Sequence, residues 1–332
     1  MAHEKLILGI ESSCDDTSIG IVDRHGRVLA CETAGQEIIH NQHGGVYPEY
    51  ASRAHAQSIY PAIDKALAAA GVRGQDLRAI AVTRGPGLIG SLQVGINAAA
   101  SLALGWGIPV IGVNHLRGHL RSADLEEARV TYPAVVLLAS GGHTILAHLP
   151  DRHDAIVLGR TRDDSVGEAY DKVARMLGLG FPGGKAIDQR AALGTANIKF
   201  PRPILQQGLD FSFSGLKSAV ARHIESNPEI LVEDICASFV EACLDILVTK
   251  AERAIETTHA SCLVLVGGVA ASAQLRAGMA RMAEKNGVKL CLPPLKWSTD
   301  NGAMIALAGW EYLECGLAPE LVATPRIPLS AF

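Results

Sequence analysis

Short apolar runs and polar turns alternate over the first part of the chain. Leu6–Ile10 is apolar, Glu11–Thr17 is polar, Ser18–Val22 is apolar again, and Arg24–Arg27 turns into Val28–Cys31. That pattern predicts a β-meander with a tip of hydroxyls and carboxylates. A polar, glycine-containing stretch from Gln36 to Tyr50 carries His40 and His43. Helical spacing then runs from Pro48 to about Ala70. Ala79–Thr83 reads as a strand, and Arg84–Ser91 as a glycine-rich loop opening a helix of about Gly90 to Leu104. Ile108–Val113 reads as a buried strand. The uncharged stretch Gly95 to Val113 contains Asn97, Pro109 and several glycines, so a helix followed by a strand explains it better than a membrane span.

After a polar stretch to Thr131 the same organisation returns. Ala134–Ala139 and Ile145–Leu149 are apolar, with the turn Ser140–Thr144 between them. This predicts an internal duplication. A third such element is Cys262–Val266, followed by Gly267-Gly268 and a helix, where glycines let a ligand approach backbone.

Composition narrows the class. A chain of 332 residues with 48% hydrophobic content can build two modest domains. A net charge of -4 excludes a histone-like binder, so any nucleic-acid contact needs a local basic patch. The seven cysteines are scattered without a Cys-x-x-Cys pair, which points to reduced thiols. Met1–Lys5 leads into no signal-peptide pattern, so the expected compartment is the cytoplasm.

The chemistry gathers at Asn114-His115-Leu116-Arg117-Gly118-His119. Asn114 is a good helix N-cap, and histidines four apart on a helix share a face and can hold one divalent metal. The metalloprotease signature has Glu after the first His; here Leu116 stands there. The plainer alternative is two histidines on a solvated helix face. Asp300 either caps the last helix or adds a carboxylate to those histidines. The glycines of Arg84–Ser91 fit neither the dinucleotide fingerprint nor the P-loop, so close packing is their expected purpose. Glu168 and Lys172 are spaced for a helix-surface ion pair. Phe200-Pro201-Arg202-Pro203 and Phe211–Lys217 interleave aromatics with cations, which suits either base stacking or packing of a loop on the core.

Together these stretches resemble the TsaD family (older names Gcp and YgjD), the tRNA threonylcarbamoyladenosine enzymes. The matching segments are Gly9–Thr17, Gly44–Glu49, Gly85–Leu88, His115-x-x-x-His119, Ser140–Thr144 and Asp163–Lys172. They continue through Pro182–Gly184, Asp210–Lys217, Gly267–Val269 and Thr299–Met304, covering nearly the whole chain in one order. The resemblance implies an α/β fold of the actin-like, sugar-kinase and Hsp70-type ATPase class, with two duplicated domains around a cleft. The expected domains are 1–130 and 131–310, with the helix in 311–332 returning to the first.

It further implies that His115, His119 and Asp300 bind one iron or zinc ion. Leu138, Ala139, Ser140, Gly141, Gly142, Asp171, Gly184 and Asp188 would hold an adenine nucleotide or threonylcarbamoyl-adenylate. The implied reaction moves the threonylcarbamoyl group from that adenylate to N6 of adenosine 37 in tRNAs reading codons that begin with A, releasing AMP. Glu11, Asp15 and Asp16 are candidates for the catalytic base. The implied partners are tRNA, a TsaB-type actin-like paralogue, a TsaE-type small ATPase and the synthase of the adenylate, with no membrane. The paralogue is expected on the helix Gln57 to Ala70. Arg160, Arg162, Lys185, Arg190, Lys199, Arg202, Lys217 and Arg222 are candidates for a tRNA-binding face. Two departures stand out: Ser272 replaces the family's Asn among the ligand contacts, and Glu11 stands where many actin-like ATPases carry Asp. The rival readings are a metalloprotease, a stand-alone ATPase or kinase, and an inactive scaffold subunit retaining the metal residues.

Overall fold

The computed structural model describes residues 6–41, 45–126, 130–227 and 229–332. His43, Gly44 and the Met1–Lys5 stretch lie outside these. The chain forms two compact units, residues 1–129 with 293–332, and residues 130–292.

In the first unit β1 (Leu6–Glu11), β2 (Thr17–Asp23), β3 (Val28–Ala34), β4 (Ala79–Gly85) and β5 (Val110–Asn114) form one sheet in the order β3-β2-β1-β4-β5. The meander β1 to β3 is antiparallel, and β4 and β5 run parallel to β1. Its helices are α1 (Glu37–Asn41), α2 (Pro48–Ala70), α3 (Ile89–Trp106) and α4 (His115–Ser122).

The second unit repeats this arrangement. β6 (Ala134–Ala139), β7 (Thr144–Leu149) and β8 (Ile156–Arg160) form the meander. β9 (Cys262–Val266) and β10 (Lys289–Cys291) add in parallel beside β6. Its helices are α5 (Val166–Met176), α6 (Gly183–Ala191), α7 (Ser214–Ser226), α8 (Val232–Thr258) and α9 (Ala273–Lys285). The duplication expected from the sequence is therefore present in strand order and direction.

The last helix, α10 (Gly302–Glu314), packs on β1 and β2 of the first unit. Sequence reading put the return at residue 311, but it begins at Pro293. The reason lies in the alternation of β1. Leu6, Leu8 and Ile10 face the cluster that holds Ile59, Ile63 and Ile96, while Ile7 faces Met304 and Ala308 on the other side. A strand buried on both faces needs helices on both faces.

Gly9 and Gly20 are paired across β1 and β2, and α10 starts directly over them. A Cβ at Gly9 would lie 2.1 Å from the Gly302 carbonyl oxygen, and one at Gly20 would lie 2.2 Å from Ala303 N. That bare patch of sheet lets the start of α10 descend onto the strands, and it fixes the height of Asp300 just before it.

Two sequence expectations change here. Phe200, Phe211 and Phe213 are buried, Phe211 and Phe213 completely. They pack their loops onto the core, which decides between the two alternatives in favour of packing. The candidate basic face is also interlaced with carboxylates. Arg162 pairs with Asp210, Arg190 with Glu233, Arg202 with Glu241 and Asp245, and Lys217 with Asp164. Arg160, Lys185, Lys199 and Arg222 are exposed. The Glu168–Lys172 pair forms as spaced, and Lys172 also reaches Asp164. Among the described residues no helix is long and apolar enough to cross a membrane.

Candidate metal centre and nucleotide turn

β5 delivers the chain into α4 at Asn114. The Asn114 side chain accepts a hydrogen bond from Leu116 N at 3.0 Å, which caps the helix. All eight residues of α4 are buried, so the solvated-face reading of the two histidines fails. The helix lies tight against α10 because Gly118 has no side chain. A Cβ there would come within 2.6 Å of Ile305 Cδ1.

This crossing brings Asp300 to the histidines. His119 Nε2 lies 3.1 Å and His115 Nε2 3.7 Å from Asp300 Oδ1. One donor atom from each of the three residues falls within 4.8 Å of the others. Among the described residues, Nδ1 of the buried His119 ring has no hydrogen-bond partner, and Nε2 meets the Asp300 carboxylate without forming a hydrogen bond. Buried polar atoms are normally satisfied, and a cation between the three donors would satisfy Nε2. The set of two imidazoles and a carboxylate suits zinc or ferrous iron and leaves coordination positions for other ligands. Asp300 is the exposed member, with 29% of its side chain accessible.

Glu11 sits behind His115, fully buried at the end of β1. Its Oε1 accepts from Ser13 N at 2.6 Å, and its Oε2 accepts from Thr83 Oγ1 at 2.7 Å. Oε2 also meets His115 Nδ1 at 2.8 Å. Burial alone would raise the Glu11 pKa, but the His115 charge outweighs it and the net shift is downward. For His115, burial works against the imidazolium, and the charges of Glu11 and Asp300 overcome it, pushing the ring up to about 9. An Nδ1–H held by a carboxylate turns Nε2 toward Asp300, the arrangement that orients a metal-binding imidazole. Both Glu11 oxygens are engaged by hydrogen bonds.

Asp16 is placed differently. It shares a cavity of about 340 Å³ with Asp300, Asn301, Thr299 and Trp297. Burial, then Asp15 and Asp300, push its carboxyl up to about 7. Asp15, the third candidate base, is only partly buried beside it.

The nucleotide candidates lie in the second unit, at the carboxyl ends of the parallel strands β6 and β9, where α/β sheets commonly bind ligands. Leu138 and Ala139 are core residues, so only their backbone can meet a ligand. Ser140 N donates to the His143 carbonyl and Ser140 Oγ accepts from His143 N, closing the turn. A Cβ at Gly141, Gly142 or Gly184 would meet nothing within 4 Å. Protein packing gives no reason for glycine there, whereas a ligand close to backbone does. Asp171 accepts from Gly183 N at 2.7 Å and so holds the start of α6. Asp188 has a raised pKa from burial, partly offset by its hydrogen bond from Ser272. Its Oδ1 is buried with no partner among the described residues. Ser272 also caps α9 by accepting from Leu275 N.

The matching family model is tRNA N6-adenosine threonylcarbamoyltransferase, TsaD, over residues 27–307. The chain belongs to the TsaD family. A TsaD enzyme of Anaeromyxobacter dehalogenans is 48% identical over 327 residues, covering 96% of this chain and 98% of its own. The TsaD of Bacillus subtilis is 43% identical, covering 98% of this chain and 96% of its own. Among solved structures, HypF of T. kodakarensis superposes with a TM-score of 0.65 at 16% identity, over 97% of this chain and 49% of that one. Component A of (R)-2-hydroxyglutaryl-CoA dehydratase from Acidaminococcus fermentans gives 0.55 at 16% identity, over 93% and 99%. At that identity the likeness concerns the fold: this chain has the actin-like, sugar-kinase type of α/β architecture.

Sequence reading missed the residues around the TsaD histidines: Ser13 and Thr83 on Glu11, and Glu311, whose carboxylate is shared by Arg117 and Arg121. Only the crowding of Arg117 and Arg121 between the histidines and Ser122 hinted that α4 needed a buried anion.

Proposed function

We propose that this chain is the tRNA N6-adenosine threonylcarbamoyltransferase of its family, working at a metal held by His115, His119 and Asp300. The observation that carries the reading is the His115–His119–Asp300 donor set with Glu11 locked behind it, in a chain nearly co-extensive with enzymes of that name. The donor is threonylcarbamoyl-adenylate, the acceptor is the N6 amine of adenosine 37, and AMP leaves.

When bound, the metal supplies a Lewis acid for the threonylcarbamoyl oxygens. Glu11 holds the Nδ1 proton of His115, so Nε2 stays a donor. Backbone N–H groups of Gly141 and Gly142 are suited to the phosphate. Asp188, half-buried on α6, is suited to accept from a ribose hydroxyl. Asp171 contributes chiefly by holding α6 and with it Gly184. An exocyclic amine is a weak nucleophile, so positioning it and removing its proton carry much of the rate. Asp16 takes that proton: it faces the cavity beside Asp300.

Glu11→Gln keeps the size of the side chain and removes its charge. It is expected to weaken metal binding and transfer by about 10–100-fold, the usual cost of losing an outer partner of a metal ligand. Competition with a chelator measures it, and parental affinity would remove Glu11 from its orienting role.

The tRNA, a TsaB-type paralogue, a TsaE-type ATPase and the adenylate synthase are the proposed partners. The exposed Arg160, Lys185, Lys199 and Arg222 are the proposed phosphate contacts, and such binding weakens steeply with salt. Exposed Tyr47, Tyr50 and Tyr60 on and beside α2 suit a protein partner. The direct test is reconstitution with the synthase, ATP, bicarbonate, threonine, unmodified tRNA and the two accessory proteins. Labelled threonine should reach adenosine 37 only when this chain is present. No label, while a control TsaD works under the same conditions, would favour an inactive scaffold.

A further inference from the structure

We propose that the segment Thr324–Phe332 is a strap that sets the position of α4, with Asn114 and Phe332 as positioning residues for the metal ligands. The inference rests on the metal reading of His115 and His119.

The strap is fastened at both ends by one residue of β4. The Arg84 carbonyl accepts from Thr324 N at 2.8 Å, and Arg84 Nη2 donates to the Phe332 main-chain oxygen at 2.6 Å. Gly85 makes room for it, since a Cβ there would lie 1.9 Å from the Thr324 oxygen. Between these ends, Ile327 and Leu329 are buried.

The strap then meets the point where β5 becomes α4. Asn114 donates both amide hydrogens to it, to the Pro328 and Ala331 carbonyls at 2.9 Å each. The amide oxygen of the same residue caps α4. Ser or Asp could cap as well, but neither could also donate two hydrogens. One turn further on, the Phe332 ring lies 3.4 Å beneath the Arg117 guanidinium carbon. Its edge also meets Tyr312 of α10 at 5.2 Å between centroids. Arg117 is flanked by Leu116 and Gly118 and lies between the two histidines. The strap thus grips α4 at its cap and at its middle. A metal site tolerates little drift of its ligands, and residues outside the ligand shell set them.

The test uses the full chain loaded with Co²⁺, whose visible absorption reports ligand geometry. Chelator competition gives affinity, and thermal melting is followed in parallel. Phe332→Ala is expected to weaken Co²⁺ binding about tenfold and to alter the absorption band, as loss of an outer partner does. Phe332→Tyr keeps the ring and should keep parental affinity and spectrum. Asn114→Ser retains a cap oxygen but loses both donors, and should weaken binding similarly even where Phe332→Ala fails to fold. Parental affinity and spectrum in Phe332→Ala and Asn114→Ser, with only a lower melting temperature, would overturn the strap. Equal Co²⁺ binding by the parent and His115→Ala would overturn the metal reading, and the strap with it.

Discussion

Alanine at His119 is expected to abolish metal binding and to lower threonylcarbamoyl transfer at least a hundredfold, while the metal-free chain stays folded. Losing an outer partner of a ligand already costs about 10–100-fold, and loss of the ligand itself costs more. The stability side follows from the ring's surroundings. Its Nδ1 is buried without a hydrogen-bond partner among the described residues, while Nε2 meets Asp300. Deleting the ring loses packing worth about 2 kcal/mol, but it also removes the unsatisfied Nδ1, which costs about 1–3 kcal/mol. The net change in the metal-free protein should stay within about 2 kcal/mol. His115→Ala should behave differently. It also removes the metal, but it strips the buried Glu11 of its cationic partner. Thermal melting of the two metal-free variants separates them, with His115→Ala the less stable. Equal melting would mean that the Glu11–His115 pair contributes nothing to the fold.

Glu311→Ala is expected to destabilise the first unit by about 3–5 kcal/mol, the range for removing one side of a buried ion pair. Glu311 Oε1 accepts from Arg117 Nη1 at 2.9 Å, and Oε2 lies 3.5 Å from Arg121 Nε. All three side chains are almost wholly buried. They join α10 to α4, one helix starting just after Asp300 and the other carrying both histidines. On a unit of this size, such a loss lowers the melting temperature by about 6–20 °C. Metal bound only by the native arrangement should restore part of it. A variant that melts like the parent would show that the pair is dispensable and that hydrophobic contacts alone hold the two helices.

The fold was legible wherever periodicity spoke. β1, β5, α2, α3 and the cap at Asn114 follow directly from apolar spacing and capping chemistry. The repeat of strand–turn–strand at Ala134 announced the second unit before any topology was known. What periodicity could not show was distance between remote segments. Nothing in the spacing of Gly9 and Gly20 says that a helix nearly 300 residues later will land on them. Asp300 therefore could be assigned to the histidines only through family resemblance, and the return of the chain was placed too late. The aromatics Phe211 and Phe213 misled for the opposite reason. Their spacing beside cations fits both stacking and core packing, and burial decided for the core. Glu11 drew attention as an acid in a polar turn, yet its position at the end of a doubly buried strand made it a partner for His115.

The most direct measurement is threonylcarbamoyl-adenosine formed in tRNA, by nucleoside mass spectrometry, as metal is removed from the complete reconstituted system and returned. The parental chain should lose product formation when stripped and regain it with one equivalent of Fe²⁺ or Zn²⁺ per chain. His119→Ala should regain nothing. Full product formation by the stripped parent, or by His119→Ala, would contradict transfer at the His115–His119–Asp300 centre.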